Sequence, residues 1–255
     1  MLLAVDAGNT NIVLGVFEGE RLVCTGRLST DVYETEIELA MKLKSFTELY
    51  NASDIDGAII SSVVPALVRT IKKAIRLVYG VDALVVGPGI KTGLNIRLDN
   101  PAETGADIVV CDVAVINKYS LPAIVFDFGT ATTASVIDKN GAHLGGAIMC
   151  GVKTGINALS NSAAQLPQID ISAPSKIIGT NTIEAMKCGS VIGTAAMLEG
   201  MVARFEKELG EKATVVVTGG LGKAVARVAS IDITVDDNLL IDGLRIIYEK
   251  NKGGK

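Results

Sequence analysis

Residues 3–23 read LAVDAGNTNIVLGVFEGERLV, and residues 124–144 read IVFDFGTATTASVIDKNGAHL. Each begins with apolar residues that run into Asp-x-Gly. A short polar run follows, then an apolar stretch, a charged turn and a third apolar stretch. Taken alone, DAGNTN (6–11) is an ordinary hairpin turn, because Asp, Gly and Asn tolerate unusual backbone angles. Its echo at DFGTATT (127–133), about half a chain later, changes that reading. There hydroxyls replace the amides, and a plain turn needs neither. Gly8 and Gly129 allow the backbone to approach a ligand, while Asn9, Thr10, Thr130, Thr132 and Thr133 add donors, the components of a phosphate cradle. A carboxylate beside phosphate is repulsive unless a cation intervenes, so Asp6 and Asp127 imply Mg²⁺.

The rest of the chain extends the repeat. Strands are expected at 2–6, 12–17 and 21–28, a helix at 34–49, a buried strand over GAIISSVVP (57–65), a helix at 66–79 and a strand at 83–89. A helix over 104–118 leads into the second copy at 122–148. Helices follow at 153–164 and 182–209, then strand, Gly turn and helix over 213–228, and a last helix at 238–250. Long apolar strands alternating with helices predict two α/β domains with mixed sheets, 1–118 and 119–255, and duplication makes a cleft between related halves the natural ligand site.

Bulk properties exclude several classes. The chain has 255 residues, 49 % of them hydrophobic but only 4 % aromatic and none Trp, so its core is aliphatic. A net charge of −4 argues against nucleic-acid or membrane-surface binding, both of which need a basic face. The four cysteines (Cys24, Cys111, Cys150, Cys188) are scattered, without zinc spacing or a disulfide framework. No leader and no apolar run of spanning length is present, so a cytoplasmic protein is expected. The single histidine, His143, falls in the expected turn of the second hairpin and is not a catalytic candidate. VVVTGGLGKA (215–224) is a strand–turn–helix whose glycines suit a flat approach to a nucleotide base or ribose; it fails the Walker A spacing. GPGIKTG (87–93) reads as a loop. Asp107, in NPAETGADIVV (100–110), stands at a helix start, where it serves either as an acid favourable to the helix dipole or as a base.

Together these motifs resemble the type III pantothenate kinases of the acetate/sugar kinase–Hsp70–actin superfamily. DAGNTN is similar to the family's first phosphate motif, DFGTATT to its second and TGG (218–220) to its adenosine motif. NPAETGAD resembles NP-x-E-x-GAD, LGGAIMCG (144–151) resembles GG-x-I-x-PG, and IGTNT (178–182) resembles the substrate-side GxNT. ISSVVP, AAQLP and GLRIIYEKN extend the likeness nearly end to end. The resemblance implies two duplicated ribonuclease H-like (actin-like ATPase) domains with mixed five-stranded sheets. It also implies ATP-dependent phosphorylation of pantothenate in coenzyme A biosynthesis. In that reading Asp107 is the base at the pantothenate hydroxyl, with Gly105 and Ala106 beside it. Asp6 holds Mg²⁺, and Gly8, Asn9, Thr10, Asn11, Gly129, Thr130, Thr132 and Thr133 line the phosphates. Asp127 binds a monovalent cation (K⁺ or NH₄⁺), and Gly219 and Gly220 face adenosine. Thr182 contacts pantothenate across a homodimer interface. Three positions depart from the family pattern: Ile108 stands for the usual Arg, Leu98 for Tyr and Cys150 for Pro, with Arg97 or Lys153 available to compensate. These departures leave two alternatives open, a kinase of another small hydroxyl compound and a nucleotide-binding regulator without kinase activity.

Overall fold

The computed structural model describes residues 1–253. The first repeat runs β1 (Leu2–Ala7), β2 (Asn11–Glu18), β3 (Arg21–Ser29), α1 (Glu36–Leu49), β4 (Gly57–Ser62), α2 (Pro65–Tyr79) and β5 (Ala83–Val85). A two-residue strand, β6 (Asn95–Ile96), a 3₁₀ turn (Pro101–Glu103) and α3 (Ala106–Lys118) lead to the second. That repeat runs β7 (Ala123–Phe128), β8 (Ala131–Ile137), β9 (Ala142–Cys150), α4 (Val152–Ser162), α5 (Thr182–Lys187), a π-helical segment (Cys188–Ile192) and α6 (Gly193–Leu209). It ends with β10 (Thr214–Thr218), α7 (Gly222–Ala226) and β11 (Thr234–Val235), before α8 (Leu239–Asn251).

The two sheets have matching orders. One is β3-β2-β1-β4-β5, the other β11-β10-β7-β8-β9-β6. Within each, the first strand pairs antiparallel with the second and parallel with the fourth, so both sheets are mixed. The second carries six strands rather than the expected five, because Asn95–Ile96 adds to the edge of β9. This pairing also moves His143: it lies in β9, opposite Ile96 and 3 % exposed, not in a turn.

Local sequence accounts for most element ends. Thr35 caps α1 in a reciprocal capping box with Glu38. Pro65 opens α2 at the first helical position, where its missing N–H costs nothing, rather than closing β4, which stops at Ser62. The helix expected over 182–209 is continuous, but its middle turn widens into the π segment.

Strand alternation sorts the core. Leu3, Val5 and Ala7 of β1 pack with Leu39 and Leu43 of α1 and Leu67, Ile71 and Ile75 of α2. Their counterparts Ile124, Phe126 and Phe128 of β7 pack with Val152 and Ile156 of α4 and Leu198 and Val202 of α6. On the opposite face of the first sheet, Leu2, Ala4 and Ile59 meet Val110 and Val113 of α3 and Ile241, Leu244 and Ile247 of α8.

The chain divides into two compact units, and neither is one segment. The first holds Met1–Leu94, Asn100–Ala114 and the helix that begins at Leu239; the second holds Asn95–Asp99 and Val115–Asn238. This differs from the single division expected between residues 118 and 119. The cause is α8: its three aliphatics fill the face of the first sheet. Gly243 lets it approach α3 so closely that a β-carbon there would collide with the Val110 carbonyl. Burying each such aliphatic is worth about 1.5–3 kcal/mol.

In the second unit, Asp236 follows β11 and accepts hydrogen bonds from Lys118 Nζ (2.6 Å) and Tyr119 OH (2.7 Å) at the end of α3. Burial alone would raise its pKa, but the two donors outweigh it and hold the carboxyl below the usual 3.8. A depressed pKa stabilises the fold above the unfolded value and the contribution is lost as pH falls through the folded one. Asp236→Asn is therefore expected to cost about 2 kcal/mol in urea unfolding at pH 7, a difference from the parent that shrinks below about pH 4.

Candidate active site

Asp6 and Asp127 occupy the fifth position of β1 and of β7, and their surroundings repeat. Asp6 stands between Val13 of β2 and Ser61 of β4; Asp127 stands between Thr133 of β8 and Thr218 of β10. Neighbours paired across strands share a face. Asp6 and Ser61 thus lie on the face covered by α3 and α8, the side on which α3 carries Asp107 in its first turn. Asp6 and Ser61 are 7 % and 0 % exposed, and the Ser61 hydroxyl makes no hydrogen bond within the protein.

The turns after these acids close differently. In the first, the Gly8 N–H donates to Asn11 O at 3.0 Å; in the second, the Gly129 N–H donates to Ala131 O at 3.1 Å, making the second turn one residue tighter. The glycines' own N–H groups therefore hold the turns, and the exposed tips are Asn9 and Thr10 in one and Gly129 and Thr130 in the other. Thr133 shares the face of Asp127. Thr132 does not: it pairs with Phe128, points into the helix-covered core at 0 % exposure, and its hydroxyl lacks a protein partner. No surface of Thr132 is open to a ligand, because adjacent strand residues point to opposite faces.

The TGG turn reaches the same place as the second acid. Gly219 has φ +86°, and a β-carbon there would collide with Asp127 Oδ1 and with the backbone of Phe128. Two motifs far apart in sequence thus meet in the second unit, and the Asp127 carboxylate sits where a side chain at position 219 would be. Gly220 is exposed at the tip.

NPAETGAD forms a pre-set corner in the first unit. Asn100 Oδ1 accepts from the Ala102 N–H, Asn100 Nδ2 donates to Glu103 Oε1 at 2.8 Å, and the Thr104 hydroxyl donates to Pro101 O. Gly105 leads into α3, where a β-carbon would collide with the Asp107 carboxylate. Asp107 and Ile108 are half-buried. In the second unit, three residues of GTNT have definite places. Gly179 abuts the backbone of α5, and Asn181 caps that helix by accepting from Glu184 N. Thr182, exposed, has no such structural duty.

The departures from pattern also have definite places. Leu98 packs against Gly145, and Cys150 is exposed. Arg97 Nη1 lies 3.6 Å from Asp138 and is already engaged, while Lys153 is exposed on α4. Sequence reading missed Ser61. Its signal was two serines ending an otherwise aliphatic strand, where burial favours Val or Ile.

A model of the type III pantothenate kinase family matches residues 2–204. The chain is 44 % identical to the type III pantothenate kinase of an Exiguobacterium species, over 99 % of this chain and all of that one. It is 43 % identical to that of Moorella thermoacetica, over 98 % and 100 %. The chain belongs to the type III pantothenate kinase family. It is a kinase that uses ATP to phosphorylate pantothenate in coenzyme A biosynthesis. Among solved structures, the ROK hexokinase of Thermus thermophilus superposes with a TM-score of 0.53 at 14 % identity, covering 98 % of this chain and 99 % of that one. The likeness fits an actin-like fold with two ribonuclease H-like halves. In this pantothenate kinase, Gly219→Ala is expected to cost about 1–3 kcal/mol of stability and to weaken binding of a non-hydrolysable ATP analogue, measured by urea unfolding and calorimetry.

Proposed function

We propose that the phosphoryl group passes to pantothenate with Asp107 as general base. The pantothenate hydroxyl oxygen bonds to the γ-phosphorus as the bond from phosphorus to the β,γ-bridging oxygen breaks. The hydroxyl proton goes to Asp107 and ADP leaves. The observation that carries this reading is the placing of Asp107, half-buried in the first turn of α3, on the side of the sheet that holds Asp6. One of its oxygens, Oδ1, accepts from the Ile108 N–H at 2.9 Å.

Asp6 and Ser61 fit a hydrated Mg²⁺. Among the described residues no group of three or more acids, histidines or cysteines forms a metal cage, and Mg²⁺ at kinase sites takes one or two carboxylates with substrate phosphates and waters. The unspent Ser61 hydroxyl beside Asp6 gives such a water a partner. When bound, the ion would neutralise charge on the transferring phosphates. Asp127, in the space left by Gly219 and flanked by Thr133 and Thr218, suits K⁺ or NH₄⁺, cations that take oxygen ligands. Asn9, Thr10 and Asn11 in the first turn, with Gly129, Thr130 and Thr133 in the second, supply phosphate contacts; Thr132, buried on the core face, does not. Gly219 and Gly220 take the adenosine, and Gly105, Ala106 and Thr182 take pantothenate.

A homodimer is proposed as the working form. Its support is the second unit's exposed aliphatics, Ile177 at 70 %, Ile178 at 82 % and Ile183, the last directly after Thr182. A cytoplasmic setting is in keeping with four free thiols, and no described helix is long and apolar enough to cross a membrane.

In a coupled ADP-release assay with pantothenate, Mg²⁺ and K⁺, Asp107→Asn is expected to lower kcat by at least about 10²-fold with ATP affinity unchanged. Full turnover in that variant overturns the base assignment. Asn9→Ala is expected to weaken ATP binding about three- to tenfold and leave the KM for pantothenate alone. Replacing K⁺ with Na⁺ is expected to lower the parent's activity, and equal rates in both salts would remove the monovalent-cation role of Asp127.

A further inference from the structure

Each turn is gripped from behind by a threonine that no motif includes. In the first unit, Thr30, just past the end of β3, donates its hydroxyl to Gly8 O at 2.7 Å and its N–H to Thr10 O at 3.0 Å. In the second, Thr154, in the first turn of α4, donates its hydroxyl to Thr130 O at 2.7 Å. The two threonines are not equivalent in sequence: one follows the third strand of its repeat directly, the other lies inside the helix after it. Each holds one turn carbonyl through its hydroxyl, Thr30 that of the turn glycine and Thr154 that of the residue after it.

That action has a definite geometric result. In a trans peptide the carbonyl and the following N–H point in opposite directions. Holding Gly8 O against Thr30 turns the Asn9 N–H away from Thr30, and holding Thr130 O against Thr154 turns the Ala131 N–H away from Thr154. A released peptide plane can rotate and present its carbonyl oxygen, a partial negative charge, where its N–H had been. Beside a polyphosphate that exchange replaces an attraction by a repulsion. Gly151 closes in behind the second turn, since a β-carbon there would collide with the carbonyls of Gly129 and Thr130. The backing is therefore tight on the side away from the turn's tip.

We infer that Thr30 and Thr154 are positioning residues for ATP: each locks one peptide plane so that its N–H, not its carbonyl, meets the phosphates. The inference rests on reading the two turns as phosphate cradles. The Thr30 hydroxyl bond lies in a half-buried setting, whereas Thr154 is exposed and its bond competes with water. The first lock is thus the stronger one.

The test uses the full-length enzyme with Thr30→Val and Thr154→Val, which keep side-chain shape and remove the hydroxyl, and with Thr30→Ser and Thr154→Ser, which restore it. Expected for Thr30→Val is a rise of about three- to tenfold in the KM for ATP and in the Kd of a non-hydrolysable ATP analogue, and for Thr154→Val one of about two- to threefold. The KM for pantothenate, kcat at saturating ATP and the Kd for adenosine, which has no phosphates, stay within twofold. The serine variants return to parental values. A general loss of structure would move adenosine and ATP together, so an unchanged ratio of their affinities overturns the inference. Asn9→Ala separates the two levels. If it weakens ATP binding and neither valine variant does, the cradle stands and the locking role falls. If Asn9→Ala and the valine variants all leave ATP binding unchanged, the cradle reading falls and takes the inference with it.

Discussion

A carboxylate in the fifth position of a buried strand is tolerable on only one face of its sheet. In β1 the alternation that sends Leu3, Val5 and Ala7 into the α1–α2 core sends Asp6 the other way; in β7 it divides Phe126 and Phe128 from Asp127. A slip of one residue in either strand would place an acid among aliphatics, where an unpaired charge costs several kcal/mol. Pairing to two neighbours at once, one antiparallel and one parallel, holds the register from both sides. The turns, the glycines behind them and the hydroxyls beside the acids all take their positions from that register.

Within that shared frame the two copies have diverged in chemistry. The first has Val13 and Ser61 beside its acid, a turn tipped with Asn9 and Thr10, and α3 and α8 over the acid's face. The second has threonines on both flanks, a tighter turn, and Gly219 pressed against the carboxylate. The first acid has a hydroxyl beside it that no protein group satisfies, and the helix that carries Asp107 covers its face. The second acid is flanked by hydroxyls and takes the place that a side chain at 219 would fill. The two copies share one frame, and a handful of neighbours makes the surroundings of their acids differ.

The repeat, its hairpins, the TGG turn and most helices were legible in the sequence because each has its own periodicity or punctuation. What escaped lacked such a signal. Asn95–Ile96 and Thr234–Val235 are two-residue strands, too short for any alternation to register. His143 read as a turn residue because Asp138–Gly141 supplies the turn chemistry just before it, yet the strand begins at Ala142. Thr132 and Thr133 look equivalent in DFGTATT, and only the pairing of Phe128 with Thr132 shows which faces the core. The destination of α8 was hidden for another reason. An amphipathic helix announces that it has an apolar face, not which sheet that face will cover.

That destination has a consequence for biosynthesis. The sheet of the first unit leaves the ribosome well before the helix that covers one of its faces, because the second unit is made between them. Throughout elongation of the second unit, Leu2, Ala4 and Ile59 lack their contacts with Ile241, Leu244 and Ile247. At about 5–20 residues per second that interval is on the order of ten seconds. The first unit's sheet therefore waits for a helix made only after the whole second unit before both of its faces are covered.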